Sequence, residues 1–350
     1  MKAEALSLSC PTPLGRHMTV QMAHGGGGRL MRELIERVFL PSFASPAAAE
    51  RHDSAAVTLG DQRIAFTTDS YVVRPLFFPG GDIGKLAIYG TVNDLAMSGA
   101  KPAYLSAGFI LEEGLPLETL KRIVRSMADS ASDCGVELVT GDTKVVDKGK
   151  GDGVFINTAG IGPIPSGVQI RPSRVRPGDA IILSGDVGRH GVAILSVREG
   201  LEFDTAIESD CASLSSLVQT ILATGDDVHC LRDLTRGGLA SALNEIAADA
   251  GVDLEVDEAT IPVQSSVAGV CEILGLDPLY VANEGRLVAF VPRDCADRVL
   301  AAMRGTSVAS DAAVIGRVTA TGSGRVAARG PFGPARLLDL LSGEQLPRIC

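Results

Sequence analysis

The chain has 350 residues, 45% of them hydrophobic, no tryptophan and a formal net charge of −10. This length predicts two domains, and the acidic balance argues against nucleic acid as a partner, because phosphate contacts need clustered Lys and Arg. Seven cysteines without a CxxC pair indicate reduced thiols rather than a disulfide framework or a zinc ribbon. Neither a signal peptide nor an apolar run of ~18 residues is present, so we expect a cytoplasmic protein without a membrane partner.

The first half of the chain predicts a glycine loop, a helix and an α/β unit. Apolar residues at helical spacing follow four glycines in residues 24–39, HGGGGRLMRELIERVF. Residues 55–73 predict a hairpin around a Gly-Asp turn, and residues 81–102 predict a helix that is stopped by Gly99 and Pro102. The remaining elements predicted in this unit are strands over 103–111, 136–146 and 153–164, and a helix over 116–135.

The second half repeats the mixture of strands and helices after a Pro-rich, basic linker at residues 171–179. No strict βαβ alternation and no GxGxxG motif occur, which argues against a Rossmann domain. We therefore predict a mixed α/β (α+β) fold with four parts. These are an extension, glycine loop and helix at 1–39, a first domain at 40–165, a second α/β domain at 175–335, and a flexible tail at 336–350 that carries Cys350.

Five aspartates recur at predicted strand ends and turns: Asp53, Asp69, Asp94, Asp142 and Asp233. Each alone is more simply interpreted as an ordinary turn or helix-cap residue. Together they favour a Mg²⁺-nucleotide site, because Mg²⁺ binds carboxylate oxygens and substrate phosphates.

Backbone N–H groups suited to phosphate are predicted in the glycine run at residues 25–28 and in TRGG at residues 235–238, each before a helix. A flexible linker is the alternative interpretation of the four glycines. No GxxxxGK[ST] motif is present, so a nucleotide would be held outside a P-loop fold.

Three further residues are candidates for chemistry. Lys144 and Glu284 are charged residues flanked by apolar ones, and their alternatives are an edge-strand lysine and a hairpin glutamate. Burial beside a nucleotide would let Lys144 neutralise phosphoryl charge and would raise the pKa of Glu284 toward that of a useful base. Cys350, the last residue, is either accidental or a carrier thiol.

Several stretches together resemble a known family. They are HGGGGRLMRELI, TTDSYVVRPLFFPGGDIGKLA, VNDLAMSGAKP, TGDTKVV, RDLTRGGLA, NEG and the terminal PRIC. The combination, spread over residues 20 to 350, resembles the HypE family of hydrogenase maturation proteins, the carbamoyl dehydratases of the PurM-like ATP-binding superfamily. The first twenty residues have no counterpart in it.

The resemblance implies a PurM-like two-domain fold that dimerises through its N-terminal domains and uses ATP and Mg²⁺. It implies that the C-terminal cysteine receives a carbamoyl group from a HypF-type carbamoyltransferase. ATP-dependent dehydration then leaves a thiocyanate on the sulfur, and the cyanide passes to iron on a HypC–HypD complex for a [NiFe] hydrogenase.

The resemblance also implies roles for individual residues. Cys350 would be the carrier, Glu284 the base that deprotonates nitrogen, and Lys144 the group that stabilises charge or relays protons. The residues implied at the nucleotide are Gly26, Gly27, Asp53, Asp69, Asp94, Asp142, Thr143 and Asp233, with all five aspartates as metal ligands. The alternatives are another PurM-like kinase or synthetase, or a non-enzymatic maturation scaffold.

Overall fold

The computed structural model describes residues 19–43, 45, 47–200, 207–330 and 333–341. Two β-sheets organise these residues, one of five strands and one of seven, with a two-stranded ribbon beside the first. Within the described ranges, no helix combines the length and the apolar character that crossing a membrane requires.

A helical segment precedes the first sheet. Helix α1 (Arg29–Leu34) continues through a π-helical turn, Ile35–Phe39, into the short α2 (Leu40–Phe43). The glycine loop enters α1 through Gly27, whose φ of +76° favours glycine. The loop and α1 thus form one continuous unit ahead of the first sheet.

The five-stranded sheet has the order β1-β2-β7-β5-β6 and is antiparallel except for the parallel pair β5 and β6. Helix α3 packs on one face of it, and α4 packs against α3. Its elements are β1 (Ala55–Leu59), β2 (Gln62–Tyr71), β3 (Phe77–Phe78), β4 (Gly81–Asp82), α3 (Ile83–Met97), β5 (Tyr104–Glu112), α4 (Leu117–Cys134), β6 (Glu137–Val146) and β7 (Val154–Pro163), with β3 and β4 forming the ribbon.

The seven-stranded sheet has the order β14-β13-β10-β12-β8-β11-β9. Side chains alternate between two cores along β8, where Ile181 and Leu183 join the core of α7 while Ala180 and Ile182 join the core of α6 and α9. Its elements are β8 (Asp179–Leu183), α5 (Arg189–Arg198), α6 (Ser215–Ala223), β9 (Cys230–Asp233), α7 (Gly238–Ala250), β10 (Val252–Asp257), α8 (Ser265–Leu274), β11 (Leu287–Pro292), α9 (Ala296–Arg304), β12 (Ala313–Thr321), β13 (Val326–Arg329) and β14 (Ala335–Leu338).

Helix α3 joins the two halves of the molecule and is buried over almost its entire length. Asp82 caps its first turn by accepting hydrogen bonds from the backbone N–H groups of Gly84 and Lys85, at 2.8 and 3.1 Å. One side of α3 covers β2 and β7, and the other contacts α6 and β9 of the second half. Residues on α3 therefore face groups from both sheets.

Candidate active site

Three carboxylates meet where the two halves of the molecule touch. Asp53 precedes β1, Asp94 lies on α3, and Asp233 ends β9. One oxygen from each lies within 4.8 Å of the others. Asp94 also accepts a hydrogen bond from the Thr67 hydroxyl at 2.8 Å. The sequence separates these aspartates by up to 180 positions, and packing of α3 between the sheets brings them together.

Burial disfavours the charged form of all three groups and raises their pKa values. The pKa of Asp233 rises to about 6, first because of burial and also because of the negative charge of Asp69, although Arg232 opposes the rise. Burial raises the pKa of Asp94 well above its usual range, and the nearby carboxylates add to the effect. A divalent cation would remove this repulsion.

The donor set fits such a cation. One buried oxygen of Asp53 and one of Asp233 accept no hydrogen bond from any described residue. Buried carboxylate oxygens without partners are costly, and hard cations such as Mg²⁺ bind oxygen ligands of this type. Asp53, Asp94 and Asp233 are therefore the residues that would hold the metal.

Arg232 supplies a counter-charge behind the cluster. Its guanidinium lies 3.1 Å from Asp53 and 3.1 Å from Glu245, and it donates a hydrogen bond of 2.9 Å to the Arg51 carbonyl oxygen. The neighbouring His52 is half-buried, and burial and the Arg232 charge lower its pKa to about 3. Arg232 thus fixes the carboxylate of Asp53 while His52 stays neutral.

A pocket of about 440 Å³ opens over the three carboxylates, within the usual range for small-ligand sites. Its wall includes Gly27 and Gly28, and Asp69 and Arg236, which lie 3.7 Å apart, line it as well. Gly26 is not among the lining residues. A Cβ atom on Gly27 would lie 2.6 Å from the Arg236 carbonyl oxygen, so glycine is required where the loop meets the TRGG segment.

Glu284 lies in the turn before β11 and is only 4% exposed. Burial raises its pKa well above the usual range, and the charges of Asp233, Asp210 and Asp69 raise it further. One of its carboxylate oxygens accepts no hydrogen bond from the described residues. A raised pKa makes the ionised carboxylate a stronger base, so Glu284 is a candidate general base.

Asp210 holds the backbone that carries Glu284. Its carboxylate accepts hydrogen bonds from the backbone N–H groups of Glu284, at 3.2 Å, and Gly285, at 3.0 Å. Asp210 is itself buried. Asp210 thereby positions Glu284 and adds a negative charge beside it.

Asp142, Thr143 and Lys144 lie on β6, the edge strand of the five-stranded sheet. Asp142 and Lys144 form an ion pair at 3.4 Å, with side chains 73% and 72% exposed. Strand pairing aligns Lys144 with Ile110, which puts both on the face of the sheet opposite to α3. A single chain therefore does not bring Asp142 and Lys144 to the carboxylate cluster, and the roles predicted for them stay predictions.

Sequence reasoning did not single out Arg232 or Asp210. Arg232 directly precedes Asp233, and an arginine beside a candidate ligand was the available signal. Asp210 is distant in sequence from Glu284, and no spacing pattern links them. Cys350 lies outside the described residues.

Comparison with known proteins identifies the family. Residues 51–164 match the model for the N-terminal domain of AIR synthase related proteins, and residues 176–329 match that for the C-terminal domain. A carbamoyl dehydratase HypE from Azotobacter vinelandii is 53% identical over 335 residues, covering 96% of this chain and 98% of the relative. The chain belongs to the HypE family of carbamoyl dehydratases.

Two solved HypE structures have the same fold. A HypE from a HypE–HypF complex superposes with a TM-score of 0.84 at 46% identity, covering 88% of this chain and 99% of that chain. A HypE in complex with ATP superposes with a TM-score of 0.80 at 48% identity, covering 95% of this chain and 100% of that chain. The PurM-like fold predicted from the sequence is confirmed, and this protein is a HypE-family enzyme.

Proposed function

We propose that this enzyme uses ATP to dehydrate a carbamoyl group carried on Cys350, its own last residue, and leaves a thiocyanate. The observation that carries the proposal is that a candidate metal-nucleotide site and a candidate general base, Glu284, share the charges of Asp69 and Asp233. The carboxylate cluster of Asp53, Asp94 and Asp233 suits a metal-nucleotide complex, and Asp69 and Asp233 influence the pKa of the buried Glu284. Such an arrangement combines phosphoryl transfer with proton abstraction.

The pocket lined by Gly27, Asp69 and Arg236 would hold the ATP phosphates. Mg²⁺, held by Asp53, Asp94 and Asp233, would neutralise phosphate charge when bound. A HypE relative whose structure contains ATP supports the choice of nucleotide. The roles predicted for Gly26 and Thr143 at the nucleotide belong to the same proposal.

The chemistry on Cys350 requires an oxygen to leave and two N–H protons to be removed. The oxygen of the carbamoyl group attacks the γ-phosphorus of ATP, releasing ADP, and becomes part of a phosphate ester. One N–H proton is lost to water when the oxygen is phosphorylated, and Glu284 accepts the second as the C–O bond breaks, so that phosphate departs and the C–N triple bond forms. An unassisted carboxylate does not deprotonate an amide-like nitrogen, which is why activation of the oxygen comes first.

The tail must reach this site. Nine residues follow Leu341, and an extended chain of that length spans at most about 30 Å. Leu341 contacts Gly28, which lines the pocket. The tail therefore starts at the rim of the nucleotide pocket.

We propose three partners. A HypF-type carbamoyltransferase would load Cys350, in keeping with the HypE relative solved with HypF, and a HypC–HypD complex would accept the cyanide for [NiFe] hydrogenase assembly. A second copy of this chain would form a homodimer. We place the reaction in the cytoplasm, where ATP is available and thiols stay reduced.

The homodimer would form through the face of the five-stranded sheet opposite to α3, which we call the outer face. Phe66, Tyr104, Ile110 and Ile161 are exposed there. Asp142 and Lys144 lie on the same face. Packing a second copy on the outer face would cover the apolar side chains and carry the two charged groups toward the other chain's pocket.

Mass spectrometry of the C-terminal peptide tests the proposed reaction. The chain is incubated with a HypF-type carbamoyltransferase, carbamoyl phosphate and ATP, and we expect a gain of one carbamoyl group followed by loss of one water. Cys350→Ser should show neither change. A PurM-like kinase or synthetase would keep its ATP turnover in Cys350→Ser, and a non-enzymatic scaffold would bind ATP without any turnover; either result rejects the proposal.

A further inference from the structure

The described end of the chain is fixed to the glycine loop. After β14 ends at the buried Leu338, the Asp339 carbonyl oxygen accepts a hydrogen bond from the Tyr280 hydroxyl at 2.9 Å. The Leu341 carbonyl oxygen then accepts a hydrogen bond from the Arg29 backbone N–H at 2.9 Å. Arg29 is the first residue of α1, where an N–H group has no partner within the helix, so the tail caps this helix.

Gly28 makes this contact possible. Its φ of −114° and ψ of −161° are extended values that any residue adopts. A Cβ atom at this position would lie 2.5 Å from the Leu341 carbonyl oxygen. Glycine is therefore required at position 28 by the close approach of the tail and not by its own backbone conformation.

The same loop lines the nucleotide pocket. Gly27 and Gly28 form part of its wall, and Gly27 contacts the Arg236 backbone. One side of the loop thus faces the pocket, and the other side contacts Leu341. A contact that orders the loop on one side therefore changes the conformational entropy that is lost when a second contact forms on the other side.

We propose that Gly28 and the Arg29 N–H group form a tail seat for residues 339–341, and that occupation of the tail seat strengthens nucleotide binding. This inference rests on the proposed function for its nucleotide. Glycine loses more conformational freedom on ordering than other residues. A loop already held by the tail loses less freedom when a phosphate binds, and by linkage the nucleotide holds the tail base in return.

Gly28 is a positioning residue in this proposal, and two alanine variants of the full chain separate its role from the general effect of replacing a glycine by alanine. Gly28→Ala places a methyl group against Leu341. Gly269→Ala, on α8 and away from the pocket, is the control, because a Cβ atom on Gly269 meets nothing within 4 Å. Two shortened chains complete the design: one ends at Leu341 and keeps the tail seat occupied, and the other ends at Leu338 and empties it.

Two measurements report whether the tail seat is occupied and how its occupation affects nucleotide binding. Amide hydrogen exchange at Arg29 reports the Leu341 hydrogen bond without nucleotide, and equilibrium titration gives the Kd for Mg²⁺-ATP. We expect faster Arg29 exchange and a Kd about threefold to tenfold higher in Gly28→Ala and in the chain ending at Leu338, as expected for loss of one net hydrogen bond. Gly269→Ala and the chain ending at Leu341 should match the full-length protein in both.

A double-mutant cycle isolates the linkage, since coupled changes are not additive. Gly28→Ala in the chain that ends at Leu338 should weaken ATP binding no further. Unchanged Arg29 exchange after removal of residues 339–350 overturns the tail seat, and altered exchange with an unchanged Kd overturns its coupling to nucleotide. If no variant and no wild-type protein binds ATP, the proposed function fails and the coupling with it, while the exchange data still judge the tail seat.

Discussion

The two sheets of this protein have different surroundings. The seven-stranded sheet is covered on both faces, and every residue of β8 is buried. The five-stranded sheet is covered by α3 on one face only, and its outer face leaves Phe66, Tyr104 and Ile110 exposed. The seven-stranded sheet resembles a complete core, and the five-stranded sheet resembles half of one.

The difference assigns separate tasks to the two sheets. Asp233 and Glu284 come from the ends of strands in the covered sheet, where close packing holds their positions. Asp142 and Lys144 lie on the exposed edge strand of the other sheet. We infer that Asp233 and Glu284 act within one chain, whereas Asp142 and Lys144, on the outer face of the open sheet, would reach a site only in a dimer.

The largest expected effect is on the rate of dehydration, and it tests Glu284, one of the groups that the covered sheet holds in place. Glu284→Gln should lower the rate of dehydration by about 10²–10⁴-fold, the usual contribution of a general base, while carbamoylation of Cys350 continues. The measurement is the mass of the C-terminal peptide over time. Glu272→Gln, a change at an exposed site on α8, is the control. Normal dehydration in Glu284→Gln would remove this residue from the chemistry.

The next prediction tests the open sheet. Ile110→Asp puts a charge on the outer face and should convert the proposed dimer into monomers, because an unpaired charge in an apolar interface is costly. Light scattering after size-exclusion chromatography measures the mass. Leu117→Asp, which replaces an exposed residue on α4, should leave the mass unchanged. A monomeric wild-type protein would contradict the proposal that the outer face is a dimer interface.

Mixing two inactive variants sharpens this test. If Lys144 acts on the other chain's site, a mixed dimer of Lys144→Ala and Glu284→Gln contains one intact site. Random pairing should then restore about a quarter of wild-type activity. No recovery in verified mixed dimers would show that each site draws both residues from one chain.

A smaller effect is expected at Asp210, which positions Glu284. Asp210→Asn removes a negative charge that contributes to the raised pKa of Glu284. The pKa should fall, so the rise of dehydration rate with pH should move to lower pH. Asparagine offers one acceptor oxygen instead of two to the backbone N–H groups of Glu284 and Gly285, which should also lower the maximal rate by about tenfold. A rate profile with an unshifted acidic limb would show that burial alone sets this pKa.

The smallest effect concerns stability. The pKa of Asp233 is about 6 in the folded chain against a usual 3.8, so the fold favours its protonated form. Without divalent cations, this contribution is fully present below about pH 4 and is lost as pH rises through about 6. Relative to Asp233→Asn, the wild-type free energy of unfolding should fall by about 1–3 kcal/mol over that window. Denaturant titration at several pH values measures it, and added Mg²⁺ should reverse the fall.

Much of the fold follows from the sequence, because apolar spacing is a local property. The helix predicted over 116–135 and the strand over 136–146 are confirmed as α4 and β6. The ribbon strands β3 and β4 are absent from the elements predicted in the first half, because two-residue strands carry too little periodicity. Among the candidate ligands, the meeting of Asp53, Asp94 and Asp233 depends on packing across α3, which no local pattern encodes. The separation of Asp142 from them depends on strand register, which places its side chain on the other face.

The pocket around Arg232 contains more carboxylates than arginines, and this has a consequence for the order in which cation and nucleotide bind. Seven carboxylates line the pocket against four guanidinium groups, so the empty cavity carries an excess of negative charge at neutral pH when these acids ionise. A bare polyphosphate entering it meets Coulomb repulsion in a region of low dielectric constant. The cavity would thus disfavour free nucleotide and favour its complex with a divalent cation, so that the supply of this cation would control when the enzyme binds ATP.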